Sequence, residues 1–143
     1  MNNQIDLFNT ISLDIPANWT ADTSDLNQSN IAIADTEWML DVRIMKLPAK
    51  SEKQQRDMIT AAMQNAEQQN PQGLYWAKEL IQNEEEGEAI ELHRWLVAVT
   101  GKSQLNMLVF DFVLKKTEAN SESAQETLQQ LERMLESAKA IAA

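Results

Sequence analysis

One histidine, His93, stands in "ELHRWLVAV" and is the one side chain whose ordinary pKa suits proton transfer near neutrality. To act as a general base or metal ligand it needs partners. The sequence has no cysteine and no second histidine to complete a metal site. Nor does it have a G-x-S-x-G elbow to pair His93 with a serine nucleophile. A hydrolase using His93 with a nearby carboxylate is the distant alternative, and a partly buried polar side chain on a strand is the preferred reading. Gly73, Gly87 and Gly101 are isolated from one another, so neither kind of phosphate-cradling loop is present and no cofactor is expected. In "EEEGE", Glu84, Glu85, Glu86 and Glu88 crowd one turn, where they diverge rather than converge on a cation. No metal is expected there. This acidic patch reads as a solvated hairpin tip that discourages edge pairing, or as a landing site for a basic partner.

The aromatic residues are the other group able to recognise something. Four tryptophans, Trp19, Trp38, Trp76 and Trp95, stand out in a chain only 6% aromatic. Core packing is the default for such bulk. The binding alternative is a concave sheet face on which tryptophans are joined by methionines, whose soft side chains adapt to an apolar partner. Trp38, Met39, Met45, Trp76 and Trp95 are the candidate partner-binding residues.

These residues depend on strands to place them. "ISLDIPANWT" alternates apolar and polar residues at period two, which gives a first strand from Asp6 to Ile15 ended by Pro16. Trp19 then folds back to plug the sheet. "TADTSDLNQSN" reads as a loop, and "IAIADTEWMLDVRIMKL" as two strands, 30–35 and 37–47. In the second of these, Trp38, Leu40, Val42 and Ile44 share one face, and Met39, Asp41, Arg43 and Met45 the other. Ser51 with Gln54 forms a capping box for a helix whose apolar stripe is Ile59, Ala62, Met63 and Ala66. "NPQG" at 70–73 ends it. Three antiparallel strands follow between Leu74 and Lys116, turning at Gly87 and at 101–103. They are apolar on both faces along part of their length, so the sheet is expected to be covered on both sides. A last helix begins at a capping box of Ser123 and Glu126 and buries Ala124, Leu128, Leu131, Leu135, Ala138 and Ala142.

The result is a single α+β domain over 1–143: a mostly antiparallel sheet of about six strands with two main helices, in the order β-β-β-α-β-β-β-α. A formal charge of −10 opposes binding to nucleic acid and to anionic membranes, because both must be met with positive charge. No apolar run is long enough to cross a membrane, and "MNNQIDLFNT" lacks the pattern of a signal peptide. A cytoplasmic location is the expectation.

"LDIPANW" opening this element order, followed by "VRIMKLP", resembles the PsbP-like fold. That superfamily includes the PsbP subunits of photosystem II, a Ran-binding nuclear-import factor and the bacterial Eag-type chaperones of type VI secretion. The resemblance implies an α/β/α sandwich whose members mostly bind proteins and rarely catalyse. It further implies an adaptor or chaperone that shields an apolar or helical segment of a secreted effector or toxin, with a homodimer as the assembly of Eag-type members. A toxin-neutralising immunity protein is the alternative, one that would present Glu84 to Glu88 to a basic site.

Overall fold

The computed structural model describes residues 2–64 and 68–141. Two antiparallel sheets and two helices form an α+β fold. The chain opens as a hairpin rather than one long strand. β1 (Asn2–Leu7) pairs with β2 (Ile11–Pro16), and the turn between them places Phe8 and Asn9 both at positive φ while Thr10 N–H donates to the Leu7 carbonyl at 2.9 Å. Such a turn usually announces itself with glycine. Here a phenylalanine takes the strained position, so the composition reads as uninterrupted strand. Pro16 does end β2, and its carbonyl accepts the Trp19 N–H at 3.0 Å. Trp19 is thereby turned into the main core.

β3 (Thr20–Asp22), β4 (Gln28–Ala32) and β5 (Met39–Pro48) form successive antiparallel pairs. The polar stretch expected as loop therefore contributes β3 and the start of β4, because their neighbours supply the pairing that their composition does not advertise. β6 (Gln68–Gln69), β7 (Tyr75–Glu85), β8 (Glu88–Thr100) and β9 (Gln104–Lys115) complete a seven-stranded sheet in the order β3-β4-β5-β9-β8-β7-β6. β10 (Lys139–Ala140) joins β1 and β2 in a separate three-stranded sheet. The expected six strands thus become ten in two sheets among the described residues.

α1 (Glu52–Met63) is capped as expected: Ser51 Oγ accepts the Gln54 N–H at 3.1 Å, and Gln54 Oε1 accepts the Lys50 N–H at 2.9 Å. Its buried stripe is Gln55, Ile59 and Met63, with Ala62 exposed and Ala66 outside the described residues. Gln55 takes part because its amide has work to do inside: it donates to the carbonyls of Ala49 and Gly101 and accepts from Gly101 N–H. The helix also stops before 70–73, which instead forms a turn before β7.

α2 (Glu122–Ser137) is capped by Ser121, two residues earlier than the expected Ser123. The turn at 116–120 decides between the two serines, since Ser121 N–H is held by the Glu118 carbonyl and Gln125 Nε2 by the Ala119 carbonyl. The apolar stripe keeps its phase and gains Thr127 and Met134, while Ala142 lies outside the described residues. α2 and the small sheet cover one face of the large sheet and close the main core around Trp95, Phe110, Phe112, Leu131 and Leu135. α1 packs on the other face in a smaller cluster with Ala77, Ala98, Leu105 and Met107.

Candidate functional site: a half-open sheet face

α1 shields only one end of its face, which leaves the other half exposed. Cross-strand register fixes what that half presents. One row runs Asn30, Asp41, Asp111, Arg94, Glu79 across five strands, from β4 to β7. Arg94 clasps Asp111 with two bonds, Nε to Oδ1 at 2.7 Å and Nη2 to Oδ2 at 3.1 Å, and Arg43 reaches the same carboxylate at 3.4 Å. Two parallel charge-assisted bonds fix the guanidinium against the Asp111 carboxylate. That bonding to Asp111 raises the Arg94 pKa further, so the group is always charged. On one side of the ladder lie Met39, Val113, Leu92 and Ile81, and on the other Arg43 and Leu96, with the buried Val109 between them and Met45 beyond. Met39 and Met45 are 47% and 44% exposed.

Asp41 is the uncomfortable member of the ladder. Burial first, and the facing Asp111 second, push its carboxyl above the ordinary aspartate range, with Arg43 only partly opposing them. Asn30 Nδ2 donates to it at 2.7 Å. The folded chain therefore holds this proton to higher pH than the unfolded chain does, so the residue's contribution to stability falls as pH rises through that window. Asp41→Asn is expected to stabilise the fold at pH 7 by on the order of 0.5 kcal/mol, a figure reduced for solvent screening, and to give no gain near pH 3. Urea unfolding at the two pH values measures both.

Beyond Met39 and Val113 the open face runs into a cleft of about 850 Å³ lined by Glu37, Trp38, Glu85, Glu86, Glu88, Ile90, Val113, Lys115, Thr117 and Glu118. Five carboxylates there face one ammonium, and Lys115 already lies 3.8 Å from Glu88. Trp38 forms one wall, held edge-on against Phe112 with ring centres 5.8 Å apart. The β7–β8 hairpin supplies Glu85, Glu86, Glu88 and Ile90, its turn permitted by positive φ at Glu86 and Gly87, and the end of β9 with the turn after it supplies Val113, Lys115, Thr117 and Glu118.

The structure brings Trp38, Met39, Glu85, Glu86 and Glu88 to one end of the molecule and places Met45 on the same open face near α1. Glu84 is exposed on the hairpin but does not line the cleft. Trp76 and Trp95 lie on the opposite face, against the main core. Trp95 is fully buried and presents nothing to a partner, because odd-numbered positions of β8 face α2. The ladder itself carried a signal in the sequence: Asp41 and Asp111 stand between apolar neighbours, and Arg94 between His93 and Trp95, on otherwise largely apolar strands. His93 is 6% exposed and lies beside Trp95 with neither ring nitrogen hydrogen-bonded, so no carboxylate is paired with it. Among the described residues no group of three or more acidic or histidine side chains could hold a metal ion.

No family model matches the chain, and no curated protein matches it. Solved structures share its fold. A Bacteroides thetaiotaomicron protein matches with TM-score 0.61 and 14% identity over 95% of this chain, which spans 47% of that one, about half its length. LpqN of Mycobacterium tuberculosis, involved in cell envelope biogenesis, matches with TM-score 0.58 and 10% identity over 98% of this chain and 90% of its own. The Saccharomyces cerevisiae Ran-binding protein Mog1p matches with TM-score 0.55 and 12% identity over 99% and 96%. At these identities the likeness is one of fold. Among the described residues no helix is long and apolar enough to cross a membrane.

Proposed function

We propose that this chain is a non-enzymatic protein-binding module that receives an apolar or helical segment of a partner on the open half of its large sheet. The observation that carries this reading is the pair of exposed methionines, Met39 and Met45, on a face that α1 leaves half uncovered. Single exposed apolar residues are ordinary, but here they are joined by Val113, Leu92, Leu96 and Ile81 on one surface with a rigid charged ladder through it. The ladder supplies orientation, since a segment lying on it must place polar groups where Glu79, Asp41 and the Arg94–Asp111 pair stand. The cleft asks for a basic residue at the end of that segment. Mog1p, which shares the fold, is a Ran-binding protein, and that supports protein binding as the use of such a scaffold. The resemblance to Eag-type chaperones supports a cytoplasmic adaptor in secretion with an effector as cargo.

An amphipathic lysine–leucine peptide, with a glutamate–leucine peptide of the same pattern as control, serves as the probe. The lysine–leucine peptide is expected to bind, and Met39→Ser with Met45→Ser, which removes apolar surface without changing charge, to weaken it at least tenfold while leaving the urea midpoint almost unmoved. Equal binding of both peptides, or of wild type and variant, overturns the reading. The five carboxylates of the cleft favour one second reading, an immunity protein docking a basic surface. In that case Glu85→Gln with Glu88→Gln abolishes binding, the methionine variants do not, and affinity falls steeply with salt.

A further inference from the structure

His93 sits between the large sheet and α2, 6% exposed, with neither Nδ1 nor Nε2 hydrogen-bonded. Its ring stacks on Trp95 at 6.2 Å between centres and lies 6.4 Å from Phe112. The charged groups that face it come from three elements: Lys78 on β7, Glu91 on β8 and Glu132 on α2. β9 contributes the Phe112 ring. Lys78 fastens this seam, with its Nζ 5.0 Å above the Trp95 ring and 3.5 Å from Glu132 Oε1. A neutral imidazole can be packed here at the cost of its two unmade bonds. An imidazolium is penalised, because both its nitrogens become donors, neither reaches Glu91 or any other acceptor as the ring stands, and the Glu132 carboxylate is already held by Lys78. Taking Glu132 would release Lys78; leaving it would strand a buried cation beside another.

We infer that His93 makes the α2–sheet seam acid-sensitive, so that protonation of its imidazole loosens α2 and uncovers the core face around Trp95. This is independent of the binding role assigned to the opposite face. Burial first, and Lys78 second, hold the imidazole pKa below its ordinary value of 6.5 against the pull of Glu91 and Glu132. The opened or unfolded chain then binds more protons than the closed one as pH falls through 6.5 towards the folded pKa, so stability rises with pH there and is lost on acidification. One proton limits the change to tenfold in the opening equilibrium per pH unit. Acidification also reduces the repulsion within a chain of formal charge −10, which acts in the opposite direction and cannot imitate the effect.

Because the chain has one histidine, its imidazole proton resonance is unambiguous in NMR. The expected result is a titration midpoint below 6.5. Hydrogen-exchange protection of the α2 amides should fall relative to β9 between pH 7.5 and 5.5, by up to about tenfold, and His93→Phe or His93→Gln should abolish that difference. A midpoint at or above 6.5, a uniform loss over α2 and β9, or the same loss in the variants overturns the inference. If neither variant folds, the wild-type titration and exchange decide it.

Discussion

Asn70→Ala is expected to destabilise the fold by roughly 3–5 kcal/mol, although the residue lies in a turn. Its side chain is buried and fully used. Nδ2 donates to the carbonyls of Leu135 at 3.0 Å and Ala138 at 2.7 Å, and Oδ1 accepts the N–H groups of Gln72 at 3.0 Å and Leu74 at 2.9 Å. Two of these four groups are carbonyls at the C-terminal end of α2, where the helical ladder runs out; the Leu135 carbonyl also accepts the Ala138 N–H at 3.2 Å. The other two shape the turn before β7, which the Gly73 N–H to Asn70 carbonyl bond closes. One amide therefore ties the last turn of α2 to the start of β7, and alanine would take a hydrogen-bond partner from four backbone groups, of which the Leu74 N–H and the Ala138 carbonyl are bonded to a buried side chain. Asn70→Asp separates the two halves of the clamp, since a carboxylate still accepts from Gln72 and Leu74 but meets the α2 carbonyls with lone pairs. It should recover little of the loss at pH 7. Urea unfolding at fixed pH measures all three chains, and a cost below about 1 kcal/mol for alanine would show that water takes over these groups.

The sequence made the ends and middles of elements legible to different degrees, for physical reasons. β5 and the β7–β8–β9 meander are readable because alternation and turn glycines agree, and the expected 37–47 differs from Met39–Pro48 by a residue or two. The cap at Ser51 was readable because the chain offers no competing hydroxyl near it. At the second helix two serines compete, and a tertiary turn chooses Ser121. The N-terminal hairpin was hidden because Phe8 and Asn9 accept left-handed backbone without a glycine. "NPQG" was recognisable as a breaker, yet nothing local says that Asn70 reaches a helix 65 residues further on.

The candidate site was half legible. Alternation puts Met39, Asp41, Arg43 and Met45 on one face, but β8 is apolar on both faces, so periodicity alone does not say which is closed. The choice is made by length: α1, 12 residues long, covers one end of its face, while α2, 16 residues long, and the small sheet cover the other face. The row from Asn30 to Glu79 belongs to register and not to any one strand, which is why single-strand patterns do not reveal it.

Trp95→Ala is the sharper trial of that assignment of faces, with an expected loss of about 3–5 kcal/mol against the 5–15 kcal/mol that holds a typical domain together. The ring is fully buried, pairs across the strand with Phe110, stacks on His93 and carries the Lys78 ammonium on its face. Removing it opens a cavity that the flat, hydrogen-bonded sheet cannot close by moving. Trp95→Phe should cost far less, about 1–2 kcal/mol, because it keeps most of the buried area and removes an indole N–H that has no hydrogen-bond partner. Core and interface then separate cleanly in one experiment: Trp95→Ala lowers the urea midpoint sharply, whereas Met39→Ala and Met45→Ala, both on the open face, shift it little. If Trp95→Ala kept the wild-type midpoint and weakened peptide binding instead, the tryptophan would have to reach the surface, and the faces of β8 would be the reverse of those described.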